Sequence, residues 1–379
     1  MQDDITYDLA IVGGGLAGLA LSIQIAKAGH TVILFEKEQY PFHRVCGEYI
    51  SLESWDFLGS LGTDLASMNI SKIKKIRVSD VHGNFFEQAL PLGGFGISRY
   101  KLDHLLAGIA RHSGVIVFEQ TRVNDIRFSN DVFMVESSQG NFKAKVAAAS
   151  FGKRSNLDIK WKRPFILAKK NKLNNYIGIK YHVRYNFPVD LIALHNFKKG
   201  YCGISKVEDD RYCLCYLTNA DNLQNSGNDI KKMEKTILSS NPHLKKIFEE
   251  CEMLMDEPVI ISQISFDKKN SVEDHVLMVG DAAGMITPLC GNGMSMALHA
   301  SKIAAEQIKN FLKGTISRES MEKKYSSKWN ELFAARLRTG RMLQRLFDTQ
   351  WLTTFMIRLG KSFPGLIRAL IKKTHGKSF

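Results

Sequence analysis

The residues able to do chemistry cluster in a few short stretches. The first is Gly13-Gly14-Gly15-Leu16-Ala17-Gly18. It follows the apolar run Asp8-Leu9-Ala10-Ile11-Val12 and opens a segment with apolar residues at helical spacing, closed by Gly29. In such a turn Gly13 permits a tight bend, Gly15 lets backbone amides approach a pyrophosphate, and Gly18 allows close packing of helix on strand. The amides of Leu16 and Ala17 stand at the positive end of the helix, where an anion is favoured. Glu36 ends the next strand, 18 residues after Gly18, placed to accept hydrogen bonds from a ribose 2′-hydroxyl, with Lys37 beside it. The acid argues against a 2′-phosphate at this position. A dinucleotide is the ligand these residues imply.

A glycine turn does not distinguish between dinucleotides, but two further stretches do. Gly280-Asp281 follows a short apolar strand and leads through Pro288 to Gly291-Asn292-Gly293-Met294, which opens a long helix. Asp281 suits a ribityl hydroxyl. The amides from Gly291 to Met294 suit the pyrimidine edge of a flavin, where a helix N-terminus favours the negative charge of the reduced ring. The other stretch is Pro41-Phe42-His43-Arg44-Val45-Cys46-Gly47-Glu48, joined by a helix start at Ile97-Ser98-Arg99-Tyr100.

Together these segments resemble the p-hydroxybenzoate-hydroxylase-like superfamily of FAD-dependent oxidoreductases, and the Pro-x-x-Arg-x-Cys-Gly segment is most similar to its geranylgeranyl-reductase-like branch. The similarity runs from about Tyr7 to about Glu306. It implies that Arg99 contacts the FAD phosphates or ribityl chain, and that Arg44, Cys46 and Gly47 line the flavin edge. Two departures are visible. Where hydroxylases of the superfamily carry an Asp-Gly pair serving FAD and a nicotinamide, this chain reads Ser150-Phe151-Gly152-Lys153. Where the reductase branch carries a Tyr-x-Trp strand over the flavin, Tyr201-Cys202-Gly203 has glycine in place of the indole. A missing indole opens the pocket and points to a substrate different from a plain prenyl chain.

Cys46 and Cys290 both fall in motifs bordering a flavin, and a thiol there can give or take a proton while hydride moves to a conjugated double bond. Each is equally readable as a small apolar packing residue. His43 is the candidate base in the same segment. Cys213 and Cys215 share one strand face and read as structural, and His299 reads as a packed helix residue. There is no nucleophile elbow and no histidine spacing for a metal. Flavin halogenases of the superfamily use a Trp-x-Trp-x-Ile-Pro segment; none of the four tryptophans falls in one, so halogenation is not expected.

These residues need elements to hold them. The reading is α/β: a Rossmann-like FAD domain in discontinuous segments (1–75, 99–160 and 266–315), an inserted antiparallel substrate sheet (76–98 and 161–265), and a helical C-terminus (316–379). A meander is expected over Phe128–Lys145, and one helix over Ile230–Cys251. The 379 residues are 44% hydrophobic and 24% charged, an ordinary globular composition. No apolar run approaches the ~18 residues of a membrane span. The acidic N-terminus runs straight into a strand, unlike a secretory signal, and six cysteines at irregular spacing make no disulfide framework, so a cytoplasmic location is expected.

The net charge of +14 concentrates at the end: from Trp351 onward there are six Lys or Arg and no Asp or Glu. These basic C-terminal helices read either as a cap on the substrate sheet or as a peripheral contact with the inner face of a membrane. No nucleic-acid signature accompanies them. The functional expectation is an FAD-dependent oxidoreductase reducing a carbon–carbon double bond in a hydrophobic or conjugated small molecule, with NAD(P)H or another reductant as transient donor. The alternatives are an aromatic monooxygenase, and a flavin-binding electron-transfer protein without substrate chemistry of its own.

Overall fold

The computed structural model describes residues 5–167, 175–374 and 376–379. A mostly parallel sheet forms around the strand Thr6–Val12, which pairs with Val32–Phe35 on one side and Gly140–Ala149 on the other. Ile116–Phe118 extends one edge and Val276–Met278 the other. Val32–Phe35 is buried throughout, as a strand covered on both faces must be. The expected meander is longer than Phe128–Lys145. It runs from Val123 to Ala149, and its last strand joins the parallel sheet.

The helix Leu16–Ala26 buries residues around most of its circumference because two other helices, Arg99–His112 and Gly293–Leu312, pack against it. These three helices stand where the glycine turn, Arg99 and the Gly291–Met294 loop begin. The fold therefore gathers distant sequence motifs at one end of the sheet.

The second sheet is mainly antiparallel. It orders Glu252–Met253, Tyr176–Arg184, Tyr212–Asn219, Gly200–Lys206, Leu191–Phe197, Lys72–Ser79, Phe85–Gly96 and Tyr49–Ser51. Tyr49–Ser51 and the start of Lys72–Ser79 join it from the N-terminal side of the expected boundary at 76. One face, with Ile177, Ile179, Tyr181, Cys202, Ile204 and Leu214, is buried in a core of its own with Met233, Leu244 and Ile247 from the covering helices. By the two-residue period of a strand, Lys180, His182, Tyr201, Gly203, Ser205, Cys213 and Cys215 point the other way, toward the dinucleotide fold.

The single helix expected over Ile230–Cys251 is two. Ile230–Thr236 ends in a 3₁₀ turn, and Pro242 starts a new helix, Pro242–Glu250, capped by Asn241. Proline lacks the N–H that a continuous helix requires, and it suits a first helical position.

After the helix Arg318–Phe347, the helices Gln350–Ser362 and Pro364–Thr374 fold back onto the strand Phe85–Gly96. Gly360 makes the approach: a Cβ there would lie 2.7 Å from the Phe86 ring. The two helices therefore pack on the second sheet.

Candidate active site: a dinucleotide cleft and an adjoining apolar cavity

The glycine turn is built for close approach. A Cβ at Gly13 would sit 2.6 Å from the Ser150 carbonyl carbon, and one at Gly18 would collide with Gly13 O and Ser150 Oγ. Ser150 donates from its hydroxyl to Gly13 O at 2.6 Å, so the stretch that stands in place of the Asp-Gly pair locks the turn. Tyr40 donates to the Gly14 carbonyl. By contrast, the space beside Gly15 contains only the Arg99 guanidinium, 3.4 Å from where a Cβ would be. The helix that follows has no side-chain cap on its first amides. Open amides at a helix N-terminus with an arginine beside them suit a diphosphate.

Glu36 is buried. Its Oε2 accepts from Gly14 N at 2.9 Å and from Arg44 Nη2 at 2.8 Å, and its Oε1 accepts from Glu38 N at 3.1 Å. Arg44 also reaches Asp103 at 3.2 Å, and Arg99 holds Asp103 through two bonds of 2.7 Å. Glu36, Arg44, Asp103 and Arg99 thus alternate in charge along one line. In this structure Arg44 stands at the ribose end of that line, on Glu36, and Asp103 is a member that the sequence reading missed. Burial works against the Arg99 charge, but Asp103 outweighs it and holds the guanidinium protonated. Lys37 is exposed and pairs with Glu38 at 3.5 Å, at the rim.

The second flavin motif meets the first at Gly280. A Cβ there would lie 3.1 Å from Ala17 Cβ and 3.5 Å from Ala297 Cβ, which brings the glycine-turn helix, the Asp281 loop and the long helix to one point. Asp281 is half-buried, and its carbonyl accepts from Lys269 Nζ at 3.0 Å. Pro288 starts a 3₁₀ turn ending at Cys290, and Gly291 is left-handed at φ 63°. Asn292 caps nothing with its side chain and instead donates to Thr374 O at 2.9 Å, so the amides from Gly293 through buried Met294 have no side-chain cap. Gly47 is exposed with open space beside it. The donors, the single ribose acid and the side-chain-free approaches fit FAD. The glycine turn and Glu36 would hold its adenosine diphosphate half, Arg99 its phosphates, and Asp281 with Gly291–Met294 its flavin half.

Next to Cys46 lies a buried charged cluster that sequence reasoning did not find. Glu48 accepts from Lys180 Nζ at 2.7 Å, pairs with His182 Nε2 at 2.6 Å, and accepts from Arg99 N at 2.9 Å. Burial pushes the Glu48 carboxyl up, but Lys180 and His182 outweigh it and bring it down to about 2. A lysine and a histidine two apart in an otherwise apolar strand were the available signal. His43 stacks on Tyr100 at 4.6 Å and meets His182 edge-on at 5.1 Å, with a buried Nδ1 that has no hydrogen-bond partner. Burial first, then the nearby positive charge of Lys180 and His182, lowers it to about 4, so His43 is a neutral ring here.

The thiols divide. Cys46 is half-buried and takes a weak contact from Glu48 N at 3.5 Å, while Cys213 Sγ donates to the Cys46 carbonyl at 3.2 Å. Cys290 is buried, and desolvation raises its thiol to about 11 despite a contact with Thr287. It sits at the wall of an apolar cavity of about 90 Å³. The walls come from the second sheet (Val78, Leu194), the Leu289–Cys290 turn, and the C-terminal helices (Leu343, Ile357, Ile367). Gly203 lies beside it: a Cβ there would be 3.3 Å from Leu194 Cδ2. Among the described residues no group of His, Cys, Asp and Glu could hold a metal ion.

A dinucleotide cleft of this kind, with an apolar cavity at its flavin end, defines a flavin-dependent oxidoreductase. Residues 8–44 match the model of an FAD binding domain. The chain is 25% identical over 378 residues to conditioned medium factor receptor 1 of Dictyostelium discoideum, covering 88% of this chain and 69% of that one. It is 25% identical over 360 residues to a 1H-pyrrole-2-carbonyl-[peptidyl-carrier protein] chlorinase of Pseudomonas fluorescens (81% and 76% covered). It is also 23% identical over 315 residues to digeranylgeranylglycerophospholipid reductase 1 of Methanothermobacter thermautotrophicus (79% and 76%). A geranylgeranyl bacteriochlorophyll reductase-like protein of Thermoplasma acidophilum shares the fold with a TM-score of 0.77 at 16% identity, over 96% of this chain and 98% of that one. The FAD-binding match and these relatives support a flavin-dependent oxidoreductase enzyme, and the chain is similar both to geranylgeranyl-reductase-like proteins and to flavin-dependent chlorinases.

Proposed function

We propose that this enzyme reduces a carbon–carbon double bond in a hydrophobic or conjugated small molecule, an apolar part of which enters the cavity of about 90 Å³. The observation that carries this reading is the apolar cavity, which abuts the Leu289–Cys290 turn of the flavin loop and has almost no polar wall. Such a cavity recognises hydrocarbon and offers little to a polar aromatic acid. FAD, when bound and reduced by a nicotinamide or another donor, supplies hydride for one carbon of the double bond. The chain must then hold the substrate and deliver one proton to the other carbon. The Cys290 thiol, kept protonated by burial at the cavity wall, is the first candidate donor, and Cys46 in the flavin-edge segment, which does not line the cavity, is the second. The Tyr201 hydroxyl, buried near Cys290 and Cys215, lies behind them.

Halogenation is disfavoured for this chain, because none of Trp55, Trp161, Trp329 and Trp351 sits in a Trp-x-Trp segment. The test is oxygen dependence. Turnover of a hydrophobic substrate bearing a conjugated double bond, with a chemical reductant under strict anaerobiosis, supports the reductase. Substrate-coupled oxygen consumption, with no anaerobic product, would replace it with a monooxygenase.

A further inference from the structure

We infer that the C-terminal pair of helices docks the enzyme on an anionic phospholipid surface. The helix Gln350–Ser362 has two opposite faces. Thr353, Ile357 and Gly360 are buried against the protein, whereas Trp351, Phe355 and Arg358, one turn apart in succession, are exposed. Trp351 is 70% exposed, Phe355 57%, and Phe363, the residue joining the two helices, 60%. The helix Pro364–Thr374 repeats the pattern, with Ile367 inside and Leu366 51% exposed. A folded surface leaves single apolar residues exposed without consequence, but four large ones on one helical hairpin make a patch.

The surroundings of the patch identify its partner. Arg358, Lys361, Arg368, Lys372 and Lys373 are exposed along the same two helices. No Asp or Glu occurs from Trp351 to Phe379, so nothing within the segment neutralises them. An aromatic and aliphatic crest flanked by uncompensated cations matches the interfacial layer of a bilayer with anionic headgroups. A groove for nucleic acid would instead place cations at its centre. The inner faces of the same helices contribute Thr353, Ile357, Ile367 and Leu370 to the apolar cavity. The hairpin is therefore a wall shared by that surface and the cavity.

The inference stands apart from the reductase reading, because vesicle binding is measured without turnover. FAD-loaded full-length protein is sedimented with vesicles of phosphatidylcholine alone or mixed with phosphatidylglycerol, at low and high salt. Binding confined to the phosphatidylglycerol vesicles and lost at high salt is expected. Each basic residue removed should weaken it by about fivefold. Lys372→Glu with Lys373→Glu should then weaken it by more than an order of magnitude, and Trp351→Ser with Phe355→Ser should release the protein. Should those variants fold poorly, emission decides: wild-type Trp emission should shift to the blue with the anionic vesicles, and the conservative Trp351→Phe should remove the shift. Absent binding, equal binding to both vesicles, salt-released binding to nucleic acid in preference to vesicles, or a lipid-independent dimer abolished by Trp351→Ser would each overturn the inference.

Discussion

At Gly18 and Glu48 a single atom or charge decides between a formed site and a broken one. The Cβ of Gly18→Ala would enter the space of the Gly13 carbonyl and the Ser150 hydroxyl, and backbone on one side leaves little room to give. The expected outcome is loss of bound FAD and a stability cost of about 1–3 kcal/mol, measured by flavin absorbance after gel filtration and by thermal melting. Lys180→Met leaves the Glu48 carboxylate buried with only His182 as a charged partner, and breaking such a pair costs about 3–5 kcal/mol. Adding Glu48→Gln should recover part of that loss, so the double variant in a denaturant melt should cost less than the sum of the singles. The sign with pH follows from the same groups. Glu48 sits at about 2, below its ordinary 4.5, so its contribution is complete above pH 4.5 and is lost as pH falls toward 2. His43, His195 and His299 are lowered by burial from 6.5 to about 4, about 3 and about 4, so their share is present above pH 6.5 and erodes as pH falls through that range. Melting temperature measured from pH 7 to pH 4 should fall steadily, and a flat profile would contradict these assignments.

At the scale of elements, the cavity is made by helices leaning on a sheet, so its contents can be altered without touching the cofactor motifs. Thr353→Trp places an indole into the cavity from the Gln350–Ser362 helix. Turnover of a long hydrophobic substrate should fall by roughly tenfold or more while FAD remains bound and chemically reducible. The contrast between what was and was not legible beforehand follows the range of the interactions. The strand–turn–helix around Gly13 to Gly18 and Glu36 is local, since its turn chemistry and buried strands are written in consecutive residues. The meander and the helices after Gly293 were legible for the same reason. Pro242 was also a local signal, and the break it makes in Ile230–Cys251 follows from its missing N–H. Glu48, Lys180 and His182 were not legible together. Glu48 is 132 and 134 residues from Lys180 and His182, and only the tertiary fold unites them. Arg44 belongs to the same lesson: its segment was recognisable, but its partners Glu36 and Asp103 depend on how that segment folds back.

Across the whole molecule, the C-terminal helices close one side of the cavity and then return to the flavin loop. Thr374 holds Asn292, and the Phe379 ring stacks on His299 at 4.0 Å within the long helix. Removing residues 350–379 should uncover Phe86, Leu90 and Leu194 and raise binding of a hydrophobic dye. It should lower the melting temperature while the glycine turn, Glu36 and Arg99 still retain FAD. Among the described residues no helix is long and apolar enough to cross a membrane. The fold thus joins a dinucleotide cleft to a hydrocarbon-lined cavity, and the central claim is that electrons pass from the one to a double bond held in the other. Anaerobic single-turnover measurement tests it directly: the bound flavin is reduced in advance, a hydrophobic substrate bearing a conjugated double bond is added, and flavin absorbance and product mass are followed together. The account expects flavin reoxidation without oxygen, matched by a product two hydrogens heavier. Flavin that stays reduced until oxygen is admitted, with an oxygenated or halogenated product, would contradict it.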